Sequence, residues 1–156
     1  MSSPDNFCGC GNIEFATEAK VIARFVCHCH LCQSYTHGPY NDEVFISLDK
    51  VNILYPLQLE FARNYGGRSP LKRSKCKQCG KPVISVLDMT FKKFALVPSD
   101  SVPITLASKK IDCHGFYHRR VRDIDDAAPK FNGFLMSQLM TLWFVVVGMV
   151  RAKFVG

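Results

Sequence analysis

The first residues, Met1–Phe7, hold no basic start and no apolar run. Nothing there reads as a secretory signal, so the eight cysteines are expected to stay reduced and the protein to be cytoplasmic. Acidic side chains are scarce: 13 Asp and Glu stand against 20 Lys and Arg, for a formal net charge of +7. Such a field favours anionic partners (small acids, phosphates, nucleic acid, an acidic lipid surface) without choosing among them. Helical periodicity is missing as well. Before residue 107 no window of ten or more residues repeats at the helical period, and no repeat of solenoid length occurs.

What is present suffices for one core. Of 156 residues, 47% are hydrophobic and only 21% charged, with 12 phenylalanines, a composition that folds. Short apolar runs at Val44–Leu48, Leu57–Phe61, Val83–Leu87 and Phe94–Val97 read as strands. The segments Asn64–Pro70 and Pro98–Pro103 carry turn chemistry between them. The body is therefore mainly β. Residues 107–130 mix both signs of charge and read as a solvated connector.

From Gly133 to Val150 the chain runs 18 residues without a charge, closed by Arg151 and Lys153. That length is near the lower limit for a helix that crosses a bilayer. Gly133, Ser137 and Thr141 would lie on one stripe of small residues in such a helix. Two readings of this tail stay open: a membrane anchor, or an element buried in a core or a homo-oligomer interface.

The cysteines carry the chemistry. Two CxC and two CxxC spacings bunch the sulfurs, which suits a metal better than disulfides. A structural zinc wants four thiolate or imidazole ligands, and Cys8, Cys10, Cys76 and Cys79 supply four thiolates. After Cys79, Gly80 is expected to take positive φ and turn backbone N–H groups toward the sulfurs. Cys27, Cys29 and Cys32 come from a strand and the turn after it, with no obvious fourth cysteine. Three protein ligands and a vacant position are the pattern of a catalytic zinc. The closed alternative takes His28, His30, His37 or Cys113 as the fourth ligand, although His28 and His30 on an extended segment point away from Cys27 and Cys29. Cys113, His114 and His118 read as structural, with a metal site as the lesser reading, and the Arg119, Arg120, Arg122 cluster as a solvated face, with single-stranded nucleic acid as its lesser reading.

The motifs CGCG at Cys8–Gly11, CHCHLCQ at Cys27–Gln33, Pro39-Tyr40, CKQCGKPV at Cys76–Val83, and the stretch from Asp112-Cys-His to Pro129-Lys-Phe131 resemble the glutathione-dependent formaldehyde-activating family, which includes centromere protein V. The resemblance implies a zinc-stapled β-tent (Mss-like) domain over residues 5–131; the hydrophobic tail at 132–156, expected to be helical, lies outside what it covers. It also implies two zinc ions: a structural one on Cys8, Cys10, Cys76 and Cys79, and a catalytic one on Cys27, Cys29 and Cys32. The activity it implies is that of a carbon–sulfur lyase of the S-(hydroxymethyl)glutathione synthase kind, joining glutathione to formaldehyde or a related aldehyde. The chain departs from the pattern at His37, where the family more often has Gly, at Lys75, where an aromatic commonly precedes the knuckle, and in the tail. The rival function is a zinc-stapled binding module without chemistry, docking through its basic surface.

Overall fold

The computed structural model describes residues 13–154. In chain order the elements are β1 (Ile13–Phe15), β2 (Val21–Cys27), α1 (His30–Thr36), β3 (Asn41–Ser47), β4 (Val51–Ile53), β5 (Leu59–Arg63), β6 (Leu71–Cys76), β7 (Pro82–Met89), β8 (Lys92–Pro98), α2 (Ile104–Ala107), β9 (Cys113–Gly115) and α3 (Phe134–Phe154). The fold is mainly β, with its strands in two sheets and a long apolar helix at the C-terminus. All four expected strands are found, overlapping β3, β5, β7 and β8, except that Leu48 falls just beyond β3 and Leu57 and Gln58 lie in a 3-10 turn before β5. The chain divides into two compact units.

The first unit takes in residues up to 19 and 46–97. Here β5, β6, β7 and β8 are antiparallel neighbours in that order, and β1 pairs with β4. Leu59, Val83, Ile84, Phe94 and Leu96 form its buried centre. The β6–β7 register slips between Arg73 and Lys75. At the slip the buried Ser74 hydroxyl donates to the Ile84 carbonyl (2.7 Å) and accepts from the Ile84 N–H (3.2 Å), so the backbone groups that the bulge frees are satisfied.

The second unit comprises residues 20–45 and 98–156. β3 lies beside β2, and β2 pairs in parallel with β9, setting Phe25 opposite Cys113, Val26 opposite His114 and Cys27 opposite Gly115. β9 corrects the reading of residues 107–130 as a solvated connector: Cys113, His114 and Gly115 are all buried. Three residues are too few to show a period, and the flanking charges hide the strand by pairing locally, Lys109 with Asp112, Arg120 with Asp123 and Lys130 with Asp126.

Arg24 ties this unit together. Its guanidinium forks onto Asp42 at 3.0 and 2.7 Å and donates to the carbonyls of Ala107 (2.8 Å) and Lys109 (2.9 Å). Helix α3 packs on β2 and β9. Phe144 stands edge-on to Phe25, which is itself edge-on to Phe45, and Val145 is buried. Ser137, from the expected small-residue stripe, is buried: its hydroxyl accepts from the Phe116 N–H at 2.8 Å and donates to the Gly133 carbonyl at 2.6 Å. The opposite face of α3 exposes Phe134, Leu135, Leu139, Leu142, Trp143 and Val146. By length and composition α3 is able to cross a membrane.

Candidate metal centre

β2 ends at Cys27, the chain bends at Cys29, and Cys29 caps the N-terminus of α1, its sulfur accepting the Cys32 N–H at 3.4 Å. The third cysteine therefore sits in the first turn of a helix, where the sequence reading expects a turn. The ligand sulfurs of Cys27, Cys29 and Cys32 all lie within 4.8 Å of one another. A tetrahedron with Zn–S bonds of about 2.3 Å puts its sulfurs roughly 3.8 Å apart, so the three fit such a metal. Among the described residues this is the group of three or more His, Cys, Asp or Glu that meets the spacing; no histidine joins it, nor does Cys113. The hydrogen bond with Cys29 and burial push the Cys27 thiol up to about 12, against a lowering contact with Cys32. Cys27 thus calls for a cation before it ionises near neutral pH.

His28 is not one of the clustered ligands. It is buried, its Nε2 lies 3.0 Å from Nδ1 of the buried His114, and His114 Nε2 lies 2.8 Å from Asp126 Oδ2. Tyr117 stands edge-on to both imidazoles. Burial first, then the neighbouring His114, push His28 down to about 4, so it is neutral at pH 7. Burial alone would raise the Asp126 carboxyl, but hydrogen bonds from Lys130 and His114 outweigh it and hold the group below the usual carboxylate range. The sequence shows these residues singly and does not join them, because 86 residues separate His28 from His114. Cys113 is a buried thiol pushed up to about 12 by burial and then by Asp112.

On the exposed side, Arg119 Nη1 lies 3.0 Å from Nδ1 of His30, the residue after Cys29, and its Nε donates to His118 at 3.3 Å. No carboxylate pairs with Arg119 among the described residues.

The other expected ligands divide. Cys8 and Cys10 lie outside the described residues. Cys76 is buried at the end of β6, and Cys79 is exposed. Burial would raise the Cys76 thiol, but N–H groups of Cys79 and Gln78, the latter at 3.3 Å, hold it below its ordinary value. Gly80 has the expected positive φ, +72°, and its N–H donates to the Cys76 carbonyl, not to a sulfur, at 2.8 Å.

Residues 3–112 match the family model described as glutathione-dependent formaldehyde-activating enzyme, and the chain belongs to that family. A comparison with curated proteins gives no match. Among solved structures the chain resembles the crystal structure of a Rhodobacter sphaeroides protein, a structural-genomics target, at 14% identity and a TM-score of 0.47, over 80% of this chain and 94% of that one.

Proposed function

We propose that the protein is a zinc-dependent enzyme of thiol–aldehyde adducts, acting as a carbon–sulfur lyase or, in reverse, a synthase on glutathione and formaldehyde or a related small aldehyde. The observation that carries this reading is the convergence of the Cys27, Cys29 and Cys32 sulfurs with no fourth ligand beside them among the described residues. The family match agrees with it. Zinc held there would supply a Lewis acid that favours the thiolate form of a thiol at neutral pH.

The chain's own residues do the rest. The three cysteines hold the metal and leave one position for an exogenous group. Arg119, aimed by His30 and His118 and free of carboxylate partners among the described residues, meets the carboxylates of an anionic thiol such as glutathione. Addition forms one C–S bond between the thiol sulfur and the carbonyl carbon; the carbonyl π pair moves to oxygen, which takes up a proton. Lyase turnover reverses each of these transfers.

In the same reading Cys8, Cys10, Cys76 and Cys79 hold a structural zinc that staples a domain at residues 5–131, and 132–156 is a tail. The protein is placed in the cytoplasm, with the exposed apolar face of α3 as a membrane-directed surface. X-ray absorption at the zinc edge, with and without saturating glutathione, tests the central claim. One site should gain a sulfur while the other does not change. A fixed sulfur count, or no adduct formed from glutathione and formaldehyde, sinks it.

A further inference from the structure

We propose that Asp126, His114 and His28 form a hydrogen-bonded relay that positions the Cys27–Cys29 ligand segment, a role that rests on the metal-site reading above. His28 lies between two of the three ligands. Each polar group that could fix it is engaged but one. Its N–H donates to the Gly115 carbonyl (3.0 Å), its carbonyl accepts from Gln33 Nε2 (2.7 Å), and its Nε2 meets His114 (3.0 Å). Gln33 Nε2 also reaches the Arg119 carbonyl at 2.9 Å, which joins the segment to the loop after β9.

The chemistry of the chain fixes its polarity. Asp126 is ionised and accepts from His114 Nε2–H, with Lys130 Nζ on its other oxygen at 2.7 Å. With its proton on Nε2 toward Asp126, His114 offers a bare Nδ1. That nitrogen accepts only if His28 carries its own proton on Nε2. One carboxylate near the surface thus sets two tautomers in the buried interior, and with them the rotamer of the residue between Cys27 and Cys29. The relay leaves His28 Nδ1 buried without a hydrogen-bond partner among the described residues. A purely structural core would be better served by an apolar pair, since an unpaired buried acceptor is a cost. The polar chain is therefore there for what it holds, as outer partners of metal ligands hold their ligands.

The test starts with the wild-type protein. Nitrogen-15 NMR of its histidines should show His28 and His114 both as Nε2–H tautomers with exchange-protected protons; any other pair of tautomers overturns the relay. Metal affinity is then read by cobalt and zinc competition, the three-sulfur site being isolated by difference against Cys29→Ser. Asp126→Ala should weaken that site on the order of 10- to 100-fold. Asp126→Asn, which keeps an acceptor oxygen for His114, should restore most of the affinity. A His28→Leu/His114→Leu double variant, which removes both relay partners together and so guards against a folding failure, should show the same weakening as Asp126→Ala. Affinities within twofold of wild type in Asp126→Ala and in the double variant overturn the proposal while sparing the metal site. If Cys29→Ser binds metal as wild type does, the metal-site reading itself fails and the relay falls with it.

Discussion

Gly148 of α3 lies against the main chain of β2 at Ile22, so close that a Cβ on residue 148 would stand 2.0 Å from the Ile22 carbonyl oxygen. The oxygen belongs to a paired strand and has nowhere to retreat. Gly148→Ala should therefore destabilise the protein by about 1–3 kcal/mol, even though alanine is the better helix former by up to about 1 kcal/mol. Urea unfolding of the full chain measures it. Unchanged or increased stability would mean that α3 leaves β2 in solution, as a helix given over to a bilayer would.

Arg24 makes a second such commitment, because one planar group serves Asp42 and two carbonyls at once. Lysine keeps the charge but not the fork. Arg24→Lys should cost about 2 kcal/mol, in the range for hydrogen bonds to charged groups in a half-buried setting. A loss below about 0.5 kcal/mol would show that solvent replaces the missing bonds.

The tail forms one helix, with one side packed on β2 and β9 and apolar side chains exposed on the other. The run from Gly133 to Val150 fits a helix by length and apolarity, while Trp143–Val147 alone reads equally as a strand; the structure makes all of it helix, with Ser137 of the small-residue stripe buried. What the residues could not show was the partner, because β2 and β9 lie far from α3 in sequence. The same separation explains why His114 looked like part of a charged connector. A buried strand of three residues leaves no periodic mark, and its pairing with Val26 is a long-range fact. The metal cluster was legible for the opposite reason: Cys27, Cys29 and Cys32 sit within six residues, and local geometry alone brings their sulfurs together. The helix start at His30 was hidden, since a helix of seven residues capped by a cysteine carries no ordinary cap residue.

His37 ends α1 with φ 55° and ψ 30°, a left-handed conformation. This gives a physical reason for the glycine that the family more often has there, since a Cβ is penalised in that region. His37→Gly should stabilise the protein by about 0.5–1 kcal/mol, the relief of strain exceeding the entropy that glycine loses. Thermal melting checks the sign. A lower melting temperature would show that the imidazole's own interactions outweigh its backbone strain.

The two cysteine sites should respond to substitution in opposite ways. Cys76 is buried at the end of β6, and in the proposed structural site four thiolates from segments far apart in sequence would tie metal binding to folding, where zinc-finger peptides show apparent binding energies of about 10–16 kcal/mol. Cys76→Ser, or a strong chelator, should then lower stability by roughly 4 kcal/mol or more, a fall in melting temperature on the order of 10 °C. Cys29 belongs to a local cluster that closes no long loop, so Cys29→Ser should move the melting temperature by only a few degrees. It should abolish the gain of a sulfur on adding glutathione, and with it any thiol–aldehyde activity. Calorimetry beside zinc-edge absorption on the two variants separates these effects. Equal melting temperatures for wild type and Cys76→Ser would deny the staple, and a Cys29→Ser protein that still gained a thiol ligand would move the reactive centre elsewhere.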